Sequence, residues 1–219
     1  MQPISILANL QDGLDALCRL DQRLEAVRAA VAEVPLRRAE PGFASLVSIV
    51  VGQQVSTASA AAIFARFAAL IDPLTPRAVL AADDAVFRAA GFSGAKVRTV
   101  RALAQAVHDG LDLDHICGLD AEHAVGLLTK VPGIGPWTAE SYLLFAAGHP
   151  DVFPAGDVAL QAAVAHAFGL ARRPGDKALR LIAAQWSPWR AIAARLFWSY
   201  YRVMRAREGV FVAGPASAN

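Results

Sequence analysis

The segment LLTKVPGIGPWTA, residues 127–139, determines how the middle of this chain folds. A helix is expected to end at its first proline, and Pro136 falls in the first turn of a new helix, where its missing N–H is not needed. Between the prolines, Gly133 and Gly135 permit backbone conformations closed to other residues. Ile134 can fill the apolar gap between the two helices. The segment therefore predicts two helices joined by a tight turn.

This pair of helices, residues 127–147, is called the hairpin below. Its turn leaves backbone N–H groups facing outward at the positive end of a helix, and its glycines let an anion approach closely. The pattern indicates a site for a phosphate group. An ordinary helix–turn–helix corner is the alternative interpretation.

Helical periodicity and helix-breaking residues recur along the whole chain, and no segment alternates apolar and polar residues for long enough to predict a strand. We therefore expect an all-α fold. A break is expected at 110–114, and residues 212–219 are expected to be a frayed tail. The predicted helices cover about 9–18, 21–33, 42–54, 57–70, 76–90 with a break, 95–109, 120–130, 136–147, 157–169, 175–186 and 189–207.

Composition excludes two classes of protein. With 219 residues and 55% apolar side chains, the chain is neither disordered nor a small disulfide-stabilised domain.

The net charge is only +2, but residues 157–219 contain nine Lys or Arg against three Asp or Glu. The last third is therefore basic, and 18 of the 21 cations are Arg. Phosphate binding and an Arg-rich codon bias both explain that excess.

The cysteines and the N-terminus narrow the class further. Cys18 and Cys117 have no metal-ligand spacing, so neither zinc nor an iron–sulfur cluster is expected, and we predict two buried, small apolar residues. The N-terminus lacks the pattern of a secretory signal, which predicts a cytoplasmic protein. The uncharged stretch 41–65 carries polar residues in its middle and is not expected to span a membrane.

A second motif, DVFPAGD, follows the hairpin at residues 151–157. Asp157 comes directly before an uncharged apolar helix, so it is a candidate N-cap that accepts backbone N–H bonds. Asp151 is expected to be a solvated loop acid.

The two motifs, in this order and about 20 residues apart, resemble those of the helix-hairpin-helix DNA glycosylase superfamily. The resemblance implies that Asp157 is the catalytic carboxylate, which stabilises the positive charge that develops on the sugar when a base leaves. It also implies that the hairpin binds the DNA backbone without reading its sequence and holds a monovalent cation through its carbonyls. The backbone contacts are assigned to Gly133, Ile134, Gly135, Trp137 and Thr138.

The segment QWSPWRAIAARLFW, residues 185–198, resembles the end of bacterial 3-methyladenine DNA glycosylase II, in the compact form without an N-terminal β-rich domain. The resemblance implies that Trp137 and Trp198 line the pocket for the flipped base, and we expect Trp186 and Trp189 to be packing residues. Ser141 stands where the family often has a tyrosine, so we expect a wider or more polar pocket.

The segment VGQQVS, residues 51–56, resembles the turn that fills the gap left by the extruded nucleotide, and Gln54 is the candidate plug residue. A turn glutamine bonded to nearby backbone is the alternative. The segment GFSGAK, residues 91–96, resembles the family's G-x-S-x-x-K turn and serves as a marker of the fold.

Strand-cutting members of the superfamily have a lysine two residues past the second hairpin glycine, where this chain has Trp137. The resemblance therefore implies a monofunctional glycosylase that excises 3-methyladenine and 7-methylguanine from double-stranded DNA in base excision repair, with water as nucleophile and no required cofactor. Two alternatives stay open. One is excision of oxidised, deaminated or mispaired bases, and the other is a non-catalytic DNA-binding module in which Asp157 is only a cap.

The resemblance also predicts the organisation of the chain, as one domain of two helical lobes around a cleft that holds the active site. One lobe takes about 1–38 and 157–212, and the other takes about 39–156. A monomer associated with the nucleoid is expected, without a membrane partner.

Overall fold

The computed structural model describes residues 3, 4, 7–207 and 209, and all regular secondary structure in this part of the chain is helical. The predicted all-α fold is confirmed. The predicted frayed tail lies outside the described residues. The helices are α1 (Leu7–Leu20), α2 (Arg23–Ala29), α3 (Phe43–Gly52), α4 (Thr57–Leu70), α5 (Pro76–Ala81), α6 (Asp84–Ala90), α7 (Gly94–His108), α8 (Leu113–Cys117), α9 (Ala121–Leu128), α10 (Pro136–Tyr142), α11 (Val158–Ala167), α12 (Asp176–Ala184) and α13 (Arg190–Arg207).

Two local features differ from the predicted helices. The break expected at 110–114 is partly wrong, because α8 begins inside it, capped by Asp112, whose Oδ1 accepts the N–H of His115 (2.9 Å). A helix of five residues is too short for its periodicity to be seen in a sequence. The helix predicted at 136–147 is interrupted, since a π-helical turn, Leu143–Ala147, follows α10 directly.

The described residues form two compact units. The first unit contains those up to Arg38 and those from Leu143 onward, and the second contains Ala39–Tyr142. The chain therefore returns to the first unit between Tyr142 and Leu143, earlier than the boundary near residue 156 that was predicted from the sequence. The cleft between two lobes stays a prediction.

Three contacts explain why the π-helical turn belongs to the first unit. Arg195 Nη2 of α13 donates to Leu144 O (3.0 Å), and Arg38 Nη2 donates to Ala146 O (3.2 Å). The ring of Phe145 stacks on the indole of Trp198, with 5.4 Å between the centroids. These contacts join residues distant in sequence, so the local pattern of the chain did not indicate them.

The core of the first unit forms where α13 packs against α1, α2 and α11. Leu10, Leu14 and Leu17 recur at helical spacing on α1 and are buried. Trp186 is fully buried and its Nε1 donates to Asp21 Oδ2 (2.9 Å), so its predicted packing role is confirmed. Trp189 is only half-buried.

Asp151 is not the solvated loop acid that the sequence analysis predicts. Its carboxylate is 19% exposed and accepts two bonds from Arg190, from Nε (2.7 Å) and from Nη2 (2.9 Å). Ser187 Oγ donates to it as well (2.8 Å). Burial alone raises the pKa of Asp151, but the bonds from Arg190 and Ser187 outweigh that effect and hold the pKa below its usual value. The prediction failed because Arg190 and Ser187 lie far from Asp151 in the sequence.

The second unit is built around α3, which packs against α4, α7 and α10. Phe67, Phe87 and Phe92 form an aromatic cluster with centroid distances from 4.5 to 5.6 Å. Lys96 Nζ donates to Val51 O (2.7 Å) in the last turn of α3, where a cation stabilises the exposed carbonyls. The G-x-S-x-x-K segment thus has a structural role that its lysine carries out.

The two cysteines differ in their environments. Cys18 is buried, as predicted, whereas Cys117 is only half-buried, with its Sγ 3.7 Å from Tyr142 Oη. The two cysteines form no disulfide.

Within the described part of the chain, no group of three or more His, Cys, Asp or Glu side chains is placed to hold a metal ion. None of the helices described there has the length and apolar character that a transmembrane span requires.

Candidate active site and nucleic-acid interface

The turn of the hairpin and the residues up to Tyr142 lie in the second unit, whereas residues 143–147 belong to the first. α9 ends at Leu128, somewhat before the predicted end at Pro132, and α10 begins at Pro136 as predicted. Ile134 is buried in the turn, and its N–H donates to Val131 O (3.0 Å). Its burial confirms the predicted apolar contact at the turn.

The two hairpin glycines are there for different reasons. Gly133 has a φ of +88°, and a Cβ at this position would lie 1.9 Å from Thr99 Oγ1, so both conformation and space require glycine. For Gly135 the predicted conformational reason is wrong, because its φ is not in the left-handed region. A Cβ there would meet nothing within 4 Å. The protein itself therefore does not require glycine at 135, whereas a closely approaching ligand would.

Gln53 connects the Gln-Gln turn after α3 to the hairpin. Its Nε2 donates to Thr138 Oγ1 (2.9 Å) and to Gly133 O (3.2 Å). Gln53 is not among the candidate residues predicted from the sequence, although it lies beside Gln54 in the same motif. Thr138 is buried and its hydroxyl accepts the bond from Gln53, so its predicted contact with DNA stays a prediction.

Gln54 is exposed and has a φ of +58°, and among the described residues it is the one non-glycine with a positive φ. This left-handed conformation is unfavourable for a side chain with a Cβ, and such strain is often found at functional sites. No hydrogen bond holds the side chain to nearby backbone in the described structure, in contrast to that of Gln53. The predicted plug role of Gln54 is consistent with this placement and stays a prediction.

Asp157 is the N-cap of α11 in the first unit. Its Oδ1 accepts the N–H of Leu160 (3.0 Å), and the same oxygen accepts a bond from Trp198 Nε1 (3.2 Å). The carboxylate is half-buried. The cap interpretation is therefore correct, but it does not compete with a catalytic role. The two bonds orient the carboxylate, and the second comes from an aromatic residue that the sequence analysis assigned to the base pocket.

Trp198 is half-buried on α13 and is held by two partners. Its indole donates to Asp157, and its ring plane lies against Phe145 at an interplanar angle of 20°. Phe145 was missed by the sequence analysis. It follows Ser141 by four residues, and an aromatic residue at that helical spacing from a candidate pocket residue was the available signal.

Trp137 and Ser141 lie on α10 in the second unit. Trp137 is half-buried in the first turn of the helix. Ser141 is 3% exposed, and its Oγ has no hydrogen-bond partner in the described part of the chain. Their assignment to a base pocket stays a prediction.

The order of these elements along the chain, a Gln-Gln turn, a Gly-Ile-Gly hairpin and a helix capped by aspartate, has a counterpart in known proteins. The sequence profile of the HhH-GPD superfamily of base excision DNA repair proteins matches residues 47–188. The chain belongs to this superfamily. The match includes Gln53, Gln54, the hairpin and Asp157, whereas Trp198 lies beyond it. The predicted resemblance is confirmed.

Three members of the HhH-GPD superfamily show the extent of the similarity. A probable bifunctional transcriptional activator/DNA repair enzyme AlkA of Mycobacterium tuberculosis is 41% identical over 106 residues, which are 48% of this chain and 20% of that protein. The structure of Schizosaccharomyces pombe 3-methyladenine DNA glycosylase (Mag1) with abasic DNA has a TM-score of 0.78 and 26% identity, covering 85% of this chain and 95% of that one. A DNA-3-methyladenine glycosidase from Bacillus halodurans has a TM-score of 0.77 and 30% identity, covering 89% and 91%.

These three comparisons differ in how much of the other protein is aligned with this chain. The chain spans about a fifth of the mycobacterial relative, so that comparison concerns only a part of a larger protein. The two solved structures are matched over nearly their whole lengths. The all-α fold of this chain is therefore the fold of these HhH-GPD superfamily members.

Proposed function

We propose that this protein is a monofunctional DNA glycosylase that releases alkylated purines, chiefly 3-methyladenine and 7-methylguanine, by hydrolysis of the N-glycosidic bond. The observation that carries this proposal is the hydrogen bond from Trp198 Nε1 to Asp157 Oδ1. This bond places an aromatic side chain, on which a base can stack, directly beside a carboxylate. The chain also belongs to a superfamily of base excision DNA repair proteins, for which such a pair is suited. The names of the relatives support the same substrate class.

The chemical role of Asp157 follows from the charge that develops in the reaction. As the bond between sugar and base breaks, the sugar becomes positively charged in an oxocarbenium-like state. An ionised carboxylate held in one orientation stabilises that charge without having to reorganise during the step. The N-cap bond and the indole bond supply this orientation, and the carboxylate can also orient the attacking water.

Base recognition uses the electron-rich face of an indole. An adenine or guanine methylated on a ring nitrogen is cationic, and its stacking on Trp198 gains from cation–π attraction. A neutral, undamaged purine gains less from the same contact. The roles that the resemblance gives to Trp137 and Ser141 in base binding are part of this proposal.

Binding of double-stranded DNA is assigned to the hairpin and to Gln54. Backbone N–H groups near Gly135 bind phosphate, and the open space above this glycine lets the phosphate approach. Gln54 enters the duplex and partly offsets the cost of extruding the base. We further propose that the protein acts as a monomer in the cytoplasm, on the DNA of the nucleoid.

No lysine is assigned to strand cleavage. Trp137 occupies the position of the Schiff-base lysine, and the chain's lysines are Lys96, Lys130 and Lys177. Lys96 is committed to the end of α3. A protein–DNA adduct trapped by borohydride would contradict the monofunctional part of the proposal.

The carbonyl oxygens of the hairpin turn are suitable ligands for the cation that the resemblance implies. Val131 O and Gly133 O each accept one hydrogen bond, and a carbonyl oxygen has a second lone pair for a hard cation. When bound, such a cation would add positive charge beside a DNA phosphate. No step of the proposed reaction uses it.

The decisive experiment compares two N-cap variants. Asp157→Asn keeps a side-chain oxygen that can cap α11, so the fold and DNA binding are expected to persist while base release from methylated DNA falls by about 100-fold or more. Asp120→Asn is the matched control, because Asp120 caps α9 through the same kind of bond (3.0 Å to the N–H of His123). Retained release in Asp157→Asn would contradict the proposal, and so would an equal loss in both variants.

The same assay separates the alternatives. Release of neutral oxidised or deaminated bases in preference to methylated ones would reassign the substrate class. Salt-sensitive DNA binding without release of any base would indicate a binding module.

A further inference from the structure

Arg195 is a buried cation whose partners are all neutral. Its side chain is 3% exposed. Nη1 donates to Arg37 O (2.9 Å) and Nη2 to Leu144 O (3.0 Å), while Nε has no partner in the described part of the chain. No carboxylate among the described residues pairs with it. Arginines are rarely fully buried without an acidic partner, so this placement needs an explanation.

Burial of this guanidinium is unfavourable. Loss of water, together with the nearby charges of Arg38 and Arg37, lowers the pKa of Arg195 to about 10. The group is nevertheless charged at neutral pH. Since apolar side chains commonly replace buried ionic groups without loss of stability, packing alone does not account for an arginine here.

The position of Arg195 links it to Trp198. The two residues are three apart on α13 and therefore neighbours on the helix surface. The guanidinium carbon lies 5.4 Å from the ring centroid of Phe145, which in turn stacks on Trp198. The bond to Leu144 O fixes the backbone next to Phe145 within the π-helical turn, a type of turn frequent at functional sites. A continuous series of contacts thus runs from Arg195 through Phe145 and Trp198 to Asp157.

The first unit contains a second series of contacts from an arginine through a phenylalanine and a tryptophan to an aspartate. Comparison with it shows what is unusual about Arg195. Arg23 lies 4.2 Å from the ring centroid of Phe168, Phe168 packs edge-on against Trp186, and Trp186 Nε1 donates to Asp21. In that series the arginine also forms an ion pair with the aspartate (2.7 Å), and the tryptophan is fully buried. The guanidinium of Arg195 instead donates to backbone carbonyls and forms no ion pair with Asp157.

We propose that Arg195 is a positioning residue for base excision, because it holds the π-helical turn and Phe145 against Trp198 and so fixes the orientation of the indole and of the Asp157 carboxylate. This inference rests on the proposed function. Arg195 touches neither Asp157 nor the base in this role. Its charge stays apart from the carboxylate, whose negative charge the reaction needs.

The test compares Arg195→Met with Arg38→Met. Arg38 is the matched control, because it also donates to a carbonyl of the π-helical turn, Ala146 O, whereas the described cation–π contact with Phe145 is made by Arg195. Arg195→Met is expected to lower the single-turnover rate of 3-methyladenine release by about tenfold to 100-fold, since small displacements of reacting groups have effects of this size. Its affinity for DNA with an abasic-site analogue is expected to stay within about twofold of the wild type. Arg38→Met is expected to keep the wild-type rate.

A spectroscopic readout does not depend on activity. The near-ultraviolet circular dichroism of Arg195→Met is expected to lose the same tryptophan band that Trp198→Phe loses, whereas Arg38→Met keeps it. Melting temperatures are recorded for every variant. Arg195→Lys, which keeps the charge but cannot reach two carbonyls with a planar fork, is expected to recover only part of the rate and keeps the test valid if Arg195→Met does not fold.

The outcomes separate this inference from the proposed function. If the wild type releases alkylated bases and Arg195→Met does so at the same rate, or if both Met variants lose rate equally, the positioning role is wrong. If the wild type releases no base, the proposed function fails, and the tryptophan band still decides whether Arg195 orders Trp198.

Discussion

A Cβ at Gly133 would lie 1.9 Å from Thr99 Oγ1, so the hairpin turn packs directly on α7 at this glycine. At Gly135, two residues further on, the same added atom meets nothing within 4 Å. One glycine is thus required by the fold, and the other leaves space at the surface of the turn.

This contrast predicts that the same substitution, glycine to alanine, lowers stability strongly at position 133 and hardly at position 135. Gly133→Ala is expected to lower the free energy of unfolding by about 2–3 kcal/mol, because it combines a steric overlap with a positive φ. Gly135→Ala is expected to change it by less than about 0.5 kcal/mol. Thermal unfolding measures both.

DNA affinity provides the second half of this comparison. A methyl group at position 135 occupies the space through which a phosphate approaches, so Gly135→Ala is expected to weaken DNA binding about tenfold at constant salt, a loss equivalent to one good charge-assisted hydrogen bond. Fluorescence anisotropy measures the affinity. Unchanged affinity would show that Gly135 does not face the phosphate.

The two adjacent glutamines predict a separation of folding from function. Gln54→Gly removes the side chain and relieves the strained φ of +58°. We expect equal or higher stability, by up to about 1 kcal/mol, and a lower rate of base release. Gln53→Ala breaks the bonds to Thr138 Oγ1 and Gly133 O and is expected to lower stability by about 1 kcal/mol. A wild-type rate in Gln54→Gly would rule out the plug role.

Trp198→Phe tests the bond between indole and carboxylate. Phenylalanine keeps an aromatic surface but has no N–H to donate to Asp157 Oδ1. A hydrogen bond to a charged group contributes about 1.5–3 kcal/mol, so we expect the rate of base release to fall by about tenfold or more. The single-turnover rate at saturating enzyme is the measurement. A loss confined to substrate affinity would show that Trp198 binds the base without orienting Asp157.

The pair of Asp151 and Arg190 predicts a dependence of stability on pH. Because the pKa of Asp151 is lower in the folded state, its contribution is present above the unfolded-state value of about 4 and is lost as the pH falls through the folded-state value. Asp151→Asn is expected to lower the free energy of unfolding by about 2 kcal/mol at pH 7, and the difference from the wild type is expected to shrink below pH 4.

The control for this pH dependence is Asp84→Asn. The carboxylate of Asp84 is 67% exposed in its pair with Arg101, so its removal is expected to cost less than about 0.5 kcal/mol. Urea unfolding of the three proteins across this pH range is the measurement. An equal loss in both variants would show that the Asp151 pair is no stronger than a surface pair.

Much of the site was predictable because its signals are local. Pro136, Gly133 and Asp157 act on the backbone within a few residues, as a first-turn proline, a left-handed glycine and an N-cap, and the structure has each in that role. The short helix α8 was not predicted, because five residues are too few to show a helical period of hydrophobicity. The conformational reason predicted for Gly135 was wrong, and its open surroundings could not be predicted because they are a property of the folded turn.

The sequence by itself determined the helical class, the hairpin and the candidate carboxylate, because helix caps, breakers and periodicity depend on neighbours in the chain. Only the tertiary structure decided which side chains hold the carboxylate and its neighbours in place. The contacts between Trp198 and Asp157, Phe145 and Trp198, and Arg195 and Leu144 each span about 40 residues or more. The role of Asp151, which lies in a turn, was likewise decided by Arg190 at the start of α13. Such partners are chosen by packing, which a single sequence does not encode in any local pattern.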